Sequence, residues 1–244
     1  MKELYAKEIT DSSLKELEEM ARWYNEKIGN YPIIVGGWAV YFYIGGLGSK
    51  DIDVVFLGDR AKDATLAAYF HSHGYAEKRR DFFDKEYVKK VKAGDREIEI
   101  IIDAVSAKRT ILFDGKDARI PWSLAAKHNV ERKIGSASVC LPTKELLLTY
   151  KLGAVLGRSI LLKTSPEFDY YRSKLWKDVY DAASLAGLKI EQKTVWGFLG
   201  QTGLKKYAKE IMQIIEANFD EEAKSLAGEE GFLKIRGMLG EDWR

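Results

Sequence analysis

The stretch Tyr31–Leu57, YPIIVGGWAVYFYIGGLGSKDIDVVFL, decides the fold. Its apolar run Ile33-Ile34-Val35 has the composition of a short buried strand and stops at Gly36-Gly37, where missing side chains let backbone N–H groups come close to a ligand. A helix-like run, Trp38 to Tyr43, follows at once, and a glycine-rich loop (Gly45, Gly46, Gly48, Ser49) leads into Asp51-Ile52-Asp53-Val54-Val55-Phe56. Strand alternation sends Asp51 and Asp53 to one face and Ile52, Val54 and Phe56 to the other. Strand, glycine turn, short helix, loop and second strand thus place two carboxylates at the start of a buried strand.

Like-charged carboxylates one pleat apart repel, and a divalent ion with oxygen ligands is the usual remedy. The plainer alternative is a pair of solvated aspartates at a loop-to-strand corner beside an ordinary tight turn. Other phosphate motifs fit poorly: no G-x-G-x-x-G stands at the strand-to-helix turn, and Gly48-Ser49-Lys50 lacks the order of a P-loop.

The 244 residues, 46% of them hydrophobic, suffice for one large domain or two smaller ones, and two are expected. A net charge of +2 does not announce a nucleic-acid protein, although local basic clusters remain compatible with one. Cys140 is the single cysteine, which excludes an internal disulfide framework. No apolar run approaches membrane-spanning length and the start MKELYAKEIT has no apolar signal core, so a cytoplasmic protein without a membrane partner is expected.

Along the chain, Asp11-Ser12-Ser13 suggests the cap of a first helix carrying Leu14, Leu17, Met20, Ala21 and Tyr24. Ala61 to Gly74 suggests a second, whose His71 and His73 are too poorly aligned for a metal pair. The segment KRRDFFDKEYVKKVKAGDREIEIIIDAV is expected to form two strands joined at Ala93-Gly94-Asp95. Its second strand sets Glu97, Glu99, Ile101 and Asp103 on one face. Asp103 is then either a loop-facing residue or a third carboxylate beside Asp51 and Asp53, with Glu99 the alternative on the same face. A short helix over Pro121–Lys127 and two strands around Gly135 come next, and from Pro142 onward strand patterning nearly vanishes. The fold class is therefore α+β: a mixed sheet with flanking helices over residues 1–141, then a helical domain over 142–244. Its first helix, Thr143 to Arg158, carries Lys151 and Arg158 on an otherwise apolar face, where they can snorkel to solvent or serve a site. After a loop over Ser159–Asp169, a helix from Tyr171 to Ala186 holds Asp178 and Asp181, which suit a solvated face or local ion pairs.

The glycine turn followed by S-x-D-h-D-h, with h apolar, resembles the signature of the polymerase β-like nucleotidyltransferase superfamily. Two downstream motifs sharpen the resemblance: Leu146, Lys151 and Ala154 match L-x4-K-x2-A, and Lys177-Asp178-Val179-Tyr180-Asp181 matches K-D-h-x-D, as in the abortive-infection (AbiEii-type) toxins and their relatives. It covers roughly residues 30 to 187, and departs at the GGLG insert before Ser49 and at the wide gap between Lys151 and Asp178. The resemblance implies an N-terminal nucleotidyltransferase domain that moves an NMP from an NTP, such as ATP, to a hydroxyl. It implies that Gly36, Gly37, Ser49 and neighbouring Lys50 hold the triphosphate, and that Asp51, Asp53 and Asp103 bind two Mg²⁺ ions. Lys151 and Asp178 become essential to activity, with Arg158 beside Lys151 at the phosphates. An RNA acceptor, the 3′ end of tRNA, and a cognate antitoxin are the partners it implies. Two runs mix basic and aromatic residues as RNA contacts do, Lys78–Phe83 and Phe168–Lys174. A small-molecule nucleotidyltransferase of the antibiotic-modifying kind shares the core motif, and an inactive NTP-binding regulator is the third alternative.

Overall fold

In a computed structural model, residues 7–57, 60–79 and 84–240 are described, and the chain divides into two compact units. The first runs up to Arg109 and resumes at Trp122–Thr143; the second consists of Thr110–Pro121 and the chain from Lys144 onward.

The first unit contains α1 (Lys7–Ile28), β1 (Ile33–Val35), α2 (Gly36–Ile44), β2 (Asp51–Phe56), α3 (Arg60–Ser72), β3 (Ala76–Arg79), β4 (Asp84–Ala93) and β5 (Arg96–Ser106). The second begins with β6 (Thr110–Leu112) and β7 (Arg119–Pro121), a two-stranded hairpin that the sequence patterning does not announce. The chain then returns to the first unit for α4 (Ser123–Lys127), β8 (Asn129–Ile134) and β9 (Ala137–Pro142). The first unit's mixed sheet has the order β3-β4-β5-β2-β1-β9-β8, with β2 parallel to β5, β1 parallel to β9 and the other neighbours antiparallel.

Alternation explains how the sheet divides its faces. Ile52, Val54, Ile100 and Ile102 are fully buried on the face covered by α1 and α3, where Tyr24 meets Phe56 at 5.5 Å and Phe70 meets Tyr87 at 4.2 Å between ring centroids. The opposite face carries Asp51 and Asp53; Val55 beside them is buried, so only the strand's first half is polar there. The aspartates therefore sit on the sheet face turned away from α1 and α3.

Helix α1 already includes Lys7, four residues before the first residue of the expected cap. Ser12 lies inside the helix and its Oγ donates back to the Glu8 carbonyl at 2.8 Å, while Ser13 is fully buried. Ser13 Oγ accepts from Trp38 Nε1 at 3.1 Å and donates to the Lys50 carbonyl at 3.1 Å. It thereby ties α1 to both α2 and the loop that feeds β2. Gly48 has a packing role in that loop, since a Cβ there would collide with the Thr10 side chain.

The second unit continues with α5 (Lys144–Thr164), α6 (Phe168–Gly187), α7 (Gln192–Gln201), a 3₁₀ turn (Leu204–Tyr207), α8 (Ala208–Asn218), α9 (Glu221–Ala227) and α10 (Glu229–Gly240). The loop expected over Ser159–Asp169 shrinks to residues 165–167, because α5 runs on through Ile160, Leu161 and Leu162 and stops only before Pro166. The molecule is α+β, a mixed sheet with flanking helices and a helical C-terminal part. No helix of the described residues is long and apolar enough to cross a membrane.

Candidate active site

Two clusters hold the candidate residues, one in each unit. In the first, β1 ends at Val35, which pairs with Asp53 across the sheet, and Gly36 turns the chain into α2 with φ +64°. That left-handed conformation favours glycine. A side chain is also excluded by space, because a Cβ at Gly36 would collide with the Asp53 carboxylate. A Cβ at Gly37 would stand 3.0 Å from Ser49 Oγ. The glycine turn, the serine and the second aspartate are thus one packed cradle.

Ser49 Oγ donates to the Asp51 carbonyl at 2.9 Å, which fixes the loop at the point where β2 begins. No side chain caps the start of α2, which follows Val35 and has no acidic residue in its first turn. Uncapped N-terminal amides favour an anion, and phosphate is the anion they most often receive.

The parallel pairing of β2 with β5 puts Asp103 opposite Asp53, so of the two candidates for a third carboxylate Asp103 is the one beside the pair. Glu99 lies four residues back along β5, about 13 Å away at strand rise. On its other side Asp103 pairs with Glu86 of β4, which is 7% exposed. Asp53, Asp103 and Glu86 form a row of carboxylates across three strands, and lateral neighbours share a face. The Glu86 position follows from the hairpin turn: Ala93 pairs with Arg96 around Gly94-Asp95, and stepping outward joins Glu86 to Asp103. The signal was in the sequence, and reading β5 alone missed it.

Hard oxygen donors suit Mg²⁺, and the cradle brings them against backbone amides that suit a phosphate. Among the described residues, no group of three or more His, Cys, Asp and Glu side chains is placed to hold a metal ion. Mg²⁺ does not require one, since it is commonly held by one or two carboxylates and substrate phosphates while keeping several waters. The residues present therefore fit a metal that arrives with a phosphate ligand.

The second cluster lies between α5 and α6. Lys151 is 7% exposed, so it does not snorkel to solvent. Its Nζ lies 2.8 Å from Asp178 Oδ1 and 2.7 Å from Asp181 Oδ2. Asp181 is fully buried and also pairs with Lys177, while Arg158 Nε approaches Asp178 Oδ2 at 3.7 Å. Asp178 and Asp181 are accordingly not a solvated face. Burial alone would lower the Lys151 pKa, but the two carboxylates outweigh it and hold the ammonium above its ordinary value. Lys177 goes the other way: burial, reinforced by the nearby Lys151 charge, exceeds the attraction of Asp181 and lowers its pKa.

Of the remaining candidates, Lys50 contributes its carbonyl to Ser13, and its side chain is half-buried. Residues 80–83 of the first basic and aromatic run lie outside the described residues. His73 Nδ1 lies 2.8 Å from the Tyr69 carbonyl, and His71 Nε2 3.8 Å from Glu77 Oε2.

Fold and cluster together define an α+β chain with a glycine cradle facing a carboxylate row. No family model matches the sequence, and no curated protein matches it. Among solved structures, JHP933 from Helicobacter pylori is similar with a TM-score of 0.49 at 14% identity, over 93% of this chain and 90% of that one. ANT(2″)-Ia, solved in complex with adenylyl-2″-tobramycin, is similar with a TM-score of 0.44 at 14% identity, over 84% of this chain and 96% of that one.

Proposed function

We propose that the chain is a Mg²⁺-dependent nucleotidyltransferase that moves an NMP from an NTP to a hydroxyl on RNA. The observation that carries the reading is the contact of Gly36 with Asp53, in register with Asp103. Backbone amides for a phosphate and carboxylates for a cation are there held against each other, as phosphoryl transfer requires.

In this reading Gly36, Gly37 and the first turn of α2 receive phosphate oxygens, and Ser49 and Lys50 flank them. Asp51 and Asp53 hold the metal, which supplies charge neutralisation at the reacting phosphate. Asp103, beside Asp53, takes the proton of the hydroxyl that attacks the α-phosphate, and the bond to the β-phosphate breaks to release pyrophosphate. Lys151, which donates to Asp178 and forms an ion pair with Asp181, is the cation that the resemblance assigns to the phosphates. Asp178 and Asp181 then act by holding that ammonium in place. The resemblance to abortive-infection toxins makes growth arrest on expression, relieved by an antitoxin, the expected phenotype.

The test is incubation of the purified chain with total RNA, Mg²⁺ and each NTP in turn, radiolabelled at the α-phosphate, beside the Asp51→Ala/Asp53→Ala variant. Label on small RNA, absent with the variant, supports the proposal. Metal-dependent NTP binding without labelled RNA replaces the acceptor with a small molecule. Loss of both transfer and binding in the wild type overturns the reading altogether.

A further inference from the structure

We propose that the start of α6 and the last turns of α5 form a stacking platform for single-stranded nucleic acid. Phe168 and Tyr170 open α6 with 51% and 47% of their surfaces exposed, although large aromatic side chains usually bury most of theirs. Tyr170 meets Tyr171 edge-on at 5.2 Å. Lys174 Nζ stands 5.5 Å from the Tyr170 centroid, and the Arg158 guanidinium 5.8 Å from that of Tyr171. Arg158 also reaches Asp178, so the ladder runs from the buried charge cluster out to the surface rings.

Charge decides what covers these rings. From Arg158 to Lys174 the chain carries four cations (Arg158, Lys163, Arg172, Lys174) against two carboxylates (Glu167, Asp169), with Lys163 and Arg172 exposed. An apolar partner would have to desolvate Lys163 and Arg172 without supplying countercharge, which is unfavourable. A polynucleotide brings both required chemistries, phosphates for the cations and base faces for the rings. Base faces are accessible in single strands and hidden in duplexes, which selects the former. The proposal rests on the RNA-acceptor reading only for the choice of RNA over DNA; binding here requires neither NTP nor metal.

The experiment is fluorescence anisotropy of a labelled twelve-nucleotide single-stranded RNA with the full chain, without NTP, across a salt series. Phe168→Ser/Tyr170→Ser is expected to weaken binding on the order of 10-fold or more, since each stack removed is worth roughly 5-fold at least. Lys163→Gln/Arg172→Gln is expected to flatten the dependence of log affinity on log salt by about 0.7 for each phosphate that is no longer neutralised. Both pairs are exposed enough for unchanged melting to confirm folding, and the aromatic pair should keep metal-dependent NTP binding. Wild-type affinity in the aromatic variant, equal affinity for a duplex of the same sequence, or no binding by the wild type each overturns the platform. Those results leave nucleotide binding intact, whereas failure of the transferase reading shows in NTP binding instead.

Discussion

Gly36 has no room for a side chain because the Asp53 carboxylate fills the space where its Cβ would stand. Two penalties follow for Gly36→Ala: a left-handed φ of +64°, which costs about 1–2 kcal/mol for an L-residue, and displacement of Asp53 from the carboxylate row. The variant should melt at a lower temperature and lose metal-dependent NTP binding. Calorimetric titration with MgATP and the other Mg–NTP complexes checks this. An alanine variant that binds nucleotide like the wild type would remove the cradle from the reading.

Glu86 faces Asp103 directly across β4 and β5, while Asp53 faces Asp103 from the other side. Like charges opposite each other in a sheet destabilise by roughly 0.2–1 kcal/mol. Lys78 of β3 faces Glu86 on its other side, so Glu86→Gln removes one charge from the row and one from that pair. The same change should shrink the rise in melting temperature that Mg²⁺ with nucleotide produces. Thermal melts with and without Mg²⁺–NTP measure that rise, and an unchanged difference would exclude Glu86 from the charge balance of the row.

Ser13 joins Trp38 of α2 to the Lys50 carbonyl, just before β2. Ser13→Ala leaves the buried Trp38 N–H without its acceptor, at a cost of about 1–3 kcal/mol. Since the Lys50 carbonyl also loses its donor, the loop holding Ser49 loosens. The expected result is a lower denaturation midpoint together with weaker NTP binding. A stability loss with unchanged binding would confine Ser13 to packing.

Gly36-Gly37 and Asp51-x-Asp53 are local patterns, and the strand–turn–helix–strand order they predict is the order found. Gly94-Asp95 even fixes the register that pairs Asp103 with Glu86, although the pairing becomes visible only when both strands are counted back from the turn. Local reading misplaced the start of α1 because Ser12 and Ser13 look like caps. Ser13 instead finds its partners 25 and 37 residues away. The helix expected to end at Arg158 runs on, because the half-buried Ile160, Leu161 and Leu162 continue it. Lys151 suited a snorkelling lysine for the same reason: its partner Asp178 lies 27 residues on, in another helix.

The buried cluster of α5 and α6 holds three cations, Lys151, Lys177 and Arg158, and two carboxylates, Asp178 and Asp181. Lys151 binds both carboxylates, so Lys151→Met leaves the buried Asp178 with only the 3.7 Å approach of Arg158 and leaves Asp181 with Lys177 alone, and should cost up to about 3–5 kcal/mol. Lys177→Met removes the surplus cation and leaves Asp181 paired with Lys151, so it should be far milder, within about 1 kcal/mol. The two lysines also differ in how they respond to pH. Lys177 binds its proton less tightly folded than unfolded, so the unfolded chain carries more protons between its lowered folded pKa and its ordinary value near 10.5. Stability should therefore rise with pH across that window. Lys151 has a raised folded pKa, so its contribution is complete below 10.5 and is lost only as pH climbs through that higher value. Of the two lysines, only Lys177 gives a slope below 10.5; the Cys140 thiol, raised by burial, opposes it from about 9 upward in wild type and variant alike. Urea unfolding between neutral pH and 10.5 should show wild-type stability gaining on Lys177→Met as pH rises, and parallel curves would mean that Lys177 keeps an ordinary proton affinity in the folded chain.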